Sequence, residues 1–232
     1  MRARIPLDVK AATKAYLGCV AFSIAGTAVS QTVGVDPGPI RPIASAATLV
    51  AGAAALLAPT WERLGSGRAL LGLFLVLVLG AAAEIVGLYI GVPFGRYEYT
   101  DRWQPTVLLP GERHFPLLLP LAWFLVAGAS YLWAARRLHG PAAAVAGALA
   151  ATLVDAAMEP VLTGPLGYWR WLDPKLLGIA PAANFAGWFG VSLLAGLILE
   201  SAGYGRSADQ TDASWVLGGH LGLMAAIGAL AS

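Results

Sequence analysis

The chain is poor in charge: only 12% of its 232 residues are Asp, Glu, Lys or Arg. A soluble domain carries about a quarter of its residues as charges. Cysteine is limited to Cys19, which excludes an intramolecular disulfide and a thiolate metal site. The three histidines, His114, His139 and His220, are scattered without ligand spacing, so no metal is expected. Lysine occurs only at positions 10, 14 and 175. The last apolar run therefore has no amine for a retinal-type Schiff base. With a net charge of +2 and no basic stripe, nothing points to a nucleic-acid partner.

What the chain has instead is apolar length. Hydrophobic residues make up 58% of it, and the mean hydropathy is +0.69. Crossing a bilayer as helix takes about 20 apolar residues, and the sequence predicts seven such spans. They cover residues 15–33, 42–58, 69–91, 116–135, 141–162, 181–200 and 214–231. The expected fold is an all-α integral membrane bundle, a single polytopic domain over residues 1–232 whose immediate partner is the lipid bilayer. The first run also fits the outline of a signal peptide, with basic residues before it and "TAVSQ" at its end. Its spanning length favours a retained helix.

Lys and Arg in short loops set orientation. With the N-terminus inside, nine are cytoplasmic (Arg2, Arg4, Lys10, Lys14, Arg63, Arg68, Arg136, Arg137, Arg206) against six outside. The expectation is a multi-pass protein of the cell membrane with a cytoplasmic N-terminus.

Two stretches repeat. "PFGRYEYTD" (93–101) and "PLGYWRWLD" (165–173) share the order Pro, apolar, Gly, then alternating aromatics, then Asp, 72 residues apart. A carboxylate-bearing span precedes each: "LGAAAEIVGLYIG" holds Glu84, and "LAATLVDAAMEPVLTGP" holds Asp155 and Glu159. Shifting Glu84 by the same period lands one residue from Asp155. A Trp-Phe pair follows each loop, in "AWFLV" (122–126) and "GWFGV" (187–191). Spans 3–4 and 5–6 thus read as two copies of one unit, parallel repeats about an axis near the membrane normal.

The acids are the candidate catalytic groups. A carboxylate at mid-bilayer costs about 2.5–3.5 kcal/mol on insertion scales, and residues kept at that cost usually work. Asp155 and Glu159 are four apart, on one helical face. Two carboxylates that close in a low-dielectric medium favour one of them keeping a proton. Against this stands a purely structural reading, in which the acids pair with Arg96, Arg102 or Arg170, or cap loop backbone. Tyr97, Tyr99, Trp103, Tyr168, Trp169 and Trp171 fit an interfacial aromatic belt or a slot whose faces stabilise a cation. Asn184 reads as a helix N-cap or as a group that holds a water near that slot. Trp123 and Trp188 read first as packing residues, with Trp188 also a candidate for substrate contact. Arg96, Asp101, Arg170 and Asp173 are possible supporting residues of the loops. Glu200 and the acids at 209 and 212 read as solvated loop residues.

An acid, aromatic faces and a polar mouth inside lipid suit proton-initiated chemistry on a hydrophobic alkene. The acid protonates a double bond, the rings stabilise a tertiary cation, and water captures it with a carboxylate as base. Such hydration is redox-neutral and requires no cofactor. A proton-coupled transporter is the other class that uses buried acids and parallel repeats.

The segments "EIVGLYIGVPFGRYEYTDRW", "PLAWFLV", "DAAMEPVLTGPLGYWRWL" and "NFAGWFG", spanning roughly residues 80 to 190, resemble the membrane-embedded carotenoid hydratases of the CruF type. The resemblance implies a hydrophobic carotenoid substrate and addition of water across the terminal double bond of a linear ψ-end group. It implies C40 substrates such as γ-carotene or lycopene, or C50 bisanhydrobacterioruberin. Cyclisation through the same cation is the related reaction. No catalytic assignment comes with the resemblance, so the roles of Asp155, Glu159 and Glu84 rest on the chemistry.

Overall fold

The computed structural model describes residues 9–36, 38, 40–207 and 210–231. Arg2, Arg4 and Asp209 lie outside the described residues, as does the side chain of Asp212. Seven α-helices form the bundle: α1 (Val9–Val33), α2 (Ile40–Leu64), α3 (Ser66–Ile90), α4 (Leu119–Ala134), α5 (Gly140–Thr163), α6 (Ala182–Ala202) and α7 (Gln210–Ala231). Six of them are long and apolar enough to cross a membrane. The hydropathy reading placed them correctly but cut α2 at residue 58, whereas the helix continues through Pro59 to Leu64.

The fourth span differs from expectation. α4 has 16 residues, about 24 Å of helix at 1.5 Å per residue, short of the roughly 30 Å hydrocarbon core. It is also the most enclosed helix, with twelve of its residues buried, and it packs against α2, α3, α5, α6 and α7. Protein rather than lipid surrounds α4, so bilayer thickness does not set its length. The apolar residues before it, to Pro116, belong to strand β3 (Arg113–Pro116), which pairs antiparallel with β2 (Thr106–Leu109). Arg113 fixes this hairpin to the end of α3: its Nε donates to the Leu88 carbonyl at 3.1 Å, and the guanidinium lies over the Tyr89 ring at 4.5 Å.

Small residues bring the central helices together, as is usual where lipid supplies no hydrophobic drive between helices. α5 offers Ala144, Gly147, Ala148 and Ala151, all buried. A Cβ at Gly147 would stand 2.7 Å from the Tyr131 Cα on α4, a backbone atom that cannot move aside. Gly147→Leu is therefore expected to force α4 and α5 apart at an overpacking cost of about 1–3 kcal/mol. A lowered unfolding temperature in detergent checks it.

At the opposite end from the aromatic loops, Glu200 is not a solvated loop residue. It lies on α6, where its carboxylate accepts from the Tyr131 hydroxyl and from the Gly140 backbone N–H. It ties α4, α5 and α6 together.

The two aromatic loops meet. β1 (Tyr97–Tyr99) pairs antiparallel with β4 (Trp169–Trp171), in the register Tyr97 to Trp171, Glu98 to Arg170 and Tyr99 to Trp169. Glu98 and Arg170 are equivalent by the 72-residue period, so the pairing is centred on one position taken from both copies. An antiparallel pair centred in this way is a local two-fold axis. The flanking bonds repeat the relation: the Thr100 N–H donates to the Tyr168 carbonyl and the Leu172 N–H to the Arg96 carbonyl, each at 2.9 Å. Below the ribbon, Trp123 and Trp188 hold the same place in their respective motifs and stack with centroids 4.1 Å apart. The paired strands and stacked indoles join the two helical units at one end of the bundle.

Candidate active site

The C-terminal halves of α3 and α5 and the N-terminal halves of α4 and α6 all reach this end. Between them lies a cavity of about 600 Å³, within the size range of small-molecule sites. Glu84, Asp155 and Glu159 are all in its wall. So are Tyr97, Tyr99, Trp103, Tyr168, Trp169, Trp171, Asn184 and Trp188. The structure thus brings together every candidate catalytic and substrate-contacting residue. The supporting set is different: Arg96, Asp101, Arg170 and Asp173 are not in the wall.

The three acids are 5%, 1% and 1% exposed, in chain order, and neither of the ion pairs found among the described residues includes them. Arg96 is bonded to Asp173, through its Nε at 2.8 Å and its backbone N–H at 2.7 Å. These contacts hold the Asp173 carboxyl below the usual carboxylate range. Arg170 pairs with Glu98 across the ribbon. The ion-pair reading of the buried acids is set aside for Arg96 and Arg170, whose partners lie elsewhere. Asp101 is exposed, and only its backbone carbonyl is used, by Gln104. An exposed ion pair contributes about 0–1 kcal/mol. Asp173→Asn and Asp101→Asn are accordingly expected to leave turnover within about twofold of wild type, checked by initial rates on the purified variants.

Each acid is held differently. Glu84 accepts three hydrogen bonds: Tyr97 Oη at 2.5 Å and Tyr99 Oη at 2.9 Å on Oε2, and Trp123 Nε1 at 2.8 Å on Oε1. Burial, and after it the facing carboxylate, push both phenols well above their ordinary range. Both therefore stay O–H donors at any pH the protein meets. Bonds to a charged acceptor contribute about 1.5–3 kcal/mol each and offset part of the cost of burying a carboxylate. Trp123, which the sequence places with packing, is a donor to the acid. It gets there because Gly80 on α3 has no side chain: a Cβ would stand 2.8 Å from the Trp123 ring.

Glu159 takes its donor from the second strand, Trp171 Nε1 at 2.9 Å. Trp171 is the equivalent of Tyr99, so each copy's strand anchors the acid on its own helix. The counterpart of Glu84 by role is thus Glu159 rather than Asp155, which the 72-residue shift alone favours.

Asp155 has the fewest donors. Its Oδ2 accepts from Asn184 Nδ2 at 2.7 Å, while its Oδ1 is buried without a hydrogen-bond partner among the described residues. Asn184 Nδ2 also lies 3.5 Å from Glu159 Oε1. Asn184 is inside α6, where Pro181 occupies the cap, so the N-cap reading does not hold; its side chain instead lies between two acids. The rings close around this cluster: Trp103 stacks on Tyr168 at 5.0 Å, and Tyr97 meets Trp171 edge to face at 5.4 Å.

α7 adds His220 to the wall, its Nε2 2.9 Å from Met158 Sδ. No sequence signal marks it, since Met158 and His220 are 62 residues apart and meet only through packing.

A family model described as carotenoid biosynthesis protein matches residues 44–230. The chain belongs to that family. Comparison with curated proteins and with solved structures gives no match. Membership fits a role in carotenoid biosynthesis, a hydrophobic substrate and the membrane-spanning helices described above.

Proposed function

We propose that this family member is a cofactor-independent hydro-lyase that adds water across the terminal double bond of a linear ψ-end carotenoid. The observation that carries the reading is the inequality of the acids. Glu84 is saturated with donors, whereas Asp155 keeps one oxygen unpartnered in the wall of an aromatic cavity.

Asp155 carries the proton on Oδ1, where no neighbour donates, and Asn184 holds Oδ2. Transfer of that proton to the CH carbon of the terminal alkene leaves a tertiary cation on the dimethyl carbon and an Asp155 carboxylate. The Glu84 carboxylate and the faces of Trp123, Trp188 and Trp171 stabilise the cation. The oxygen of a water bonds to the cationic carbon as Glu159 takes one of its protons. Glu159 then returns a proton to Asp155, one helical turn away with Asn184 between them. The sum is alkene plus water to tertiary alcohol, with both acids restored. With the N-terminus in the cytoplasm, this chemistry takes place toward the outer face of the cell membrane.

Expression in a lycopene-producing host tests the reaction class. The expected product has gained the mass of one water. An isomer of unchanged mass with an altered spectrum would indicate cyclisation, and unaltered lycopene would favour a transporter.

A further inference from the structure

The cavity does not end at the acids. Its wall runs on to α1 and the start of α2, where it includes Phe22, Val29 and Ile40. These three are 59%, 60% and 55% exposed, so the cavity emerges on the flank of the bundle that faces lipid. Phe22, Gly26 and Val29, at spacings of four and three, lie on one stripe of α1. Small residues keep the passage open, Ala25 and Gly26 on α1 and Ala44 and Ser45 on α2. A Cβ at Gly26 would meet no atom within 4 Å. Toward the end of the bundle the acids are roofed instead by Tyr97, Tyr99, Trp103 and Tyr168, each no more than 7% exposed.

We infer that this lateral groove holds the extended hydrocarbon tail of the substrate, which enters sideways from the bilayer with its reactive end first. The inference rests on the proposed function for the identity of the end group. The groove itself requires only a long apolar chain. A linear polyene bound with its end at Asp155 has to continue somewhere. The route through α1 and α2 is continuous with the acid-lined space, largely apolar, and open to the solvent in which such a molecule dissolves. The Thr27, Ser30 and Thr48 hydroxyls in this wall donate to backbone carbonyls. Its other polar side chains include Ser23, Gln31, Arg41 and Ser45, and a polyene has no hydrogen bonds to give. Chain length is then read along α1, apart from the chemistry at the acids.

Gly26→Phe and Ala44→Phe place a ring in the groove, the first of them from a position where a Cβ meets no atom within 4 Å. Purified wild type and variants in lipid vesicles are given two probes: lycopene, and a short acyclic terpene hydrocarbon with the same dimethylalkene end that does not reach Gly26. The expected result is a fall of about tenfold or more in kcat/KM for lycopene, carried by KM. Turnover of the short probe stays within about twofold. Equal losses on both probes, or none on lycopene, would overturn the groove. Should wild type hydrate neither probe, the reaction proposed for the site fails and the groove is judged by binding. The absorption shift of vesicle-bound lycopene should then require a higher concentration in Gly26→Phe, and an unchanged titration would refute it.

Discussion

Asp155→Asn should form no hydroxylated carotenoid while folding as wild type does. The substitution is nearly isosteric, and the new amide can still accept from Asn184 Nδ2 through its oxygen. Its NH2 group then takes the place of Oδ1, which has no partner among the described residues. No existing hydrogen bond is lost, and one carboxyl is removed from a site it shares with Glu159. The expected stability in detergent is unchanged or higher, a pattern found where a site keeps a residue for function at the expense of stability. An amide does not supply the proton. Loss of general acid catalysis costs about 10²–10⁴-fold, and here it removes the step that starts the reaction. Turnover retained by a folded Asp155→Asn protein would take Asp155 out of the donor role.

Glu84→Gln should fail in a different way. The carboxylate accepts from two hydroxyls and an indole N–H; the indole can only donate, whereas the hydroxyls can also accept. A glutamine amide turns an NH2 group toward either the tyrosines or Trp123. Toward Trp123 a donor faces a donor, and toward the tyrosines both hydroxyls have to turn and accept. Either way bonds to a charged acceptor are exchanged for weaker neutral ones, at a cost of about 1 kcal/mol or more. The negative charge opposite the cation is lost as well, and removal of one electrostatic contact of this kind costs about 10²–10³ in kcat. Glu84→Gln is therefore expected to lose both stability and rate, whereas Asp155→Asn loses rate alone. Unfolding temperatures and single-turnover rates of the two variants, measured side by side, separate the roles. A Glu84→Gln protein with wild-type rate would remove the opposing carboxylate from the mechanism.

These contrasting roles change the meaning of the repeat. The two units agree in architecture: equivalent strands pair about Glu98 and Arg170, equivalent indoles stack, and each strand donates to an acid on its own helix. They differ in chemistry. One copy holds a single saturated carboxylate, and the other holds two carboxylates with an amide between them. The remaining helices break the symmetry in the same sense, since α1, α2 and α7 line the cavity while none of them has a counterpart in the repeat.

Much of this was legible in the sequence because membrane helices announce themselves by length, and buried acids by their cost. Glu84, Asp155, Glu159 and the aromatic loops stand out against an apolar background for that reason. The strands did not. Three residues are too few for an alternating pattern to register, and their partners lie 72 positions away. Trp123 was read as packing because only the close approach of α4 to Gly80 brings its N–H to Glu84. The walls supplied by α1 and α7 carry no amphipathic signature, since lipid and a hydrocarbon substrate ask the same of a side chain. The extent of α4 followed from burial among other helices, which hydropathy does not distinguish from burial in lipid.

The central claim is that a proton and a hydroxyl group from water end on adjacent carbons of the substrate. Purified protein in vesicles, given lycopene in heavy-oxygen water and separately in deuterium oxide, tests it directly. The expected product carries one heavy oxygen on the dimethyl carbon and, from the second experiment, one non-exchangeable deuterium on the neighbouring carbon. A product labelled with deuterium but without heavy oxygen would contradict hydration and assign the same cation to cyclisation. Lycopene recovered with neither label would contradict protonation of the alkene altogether.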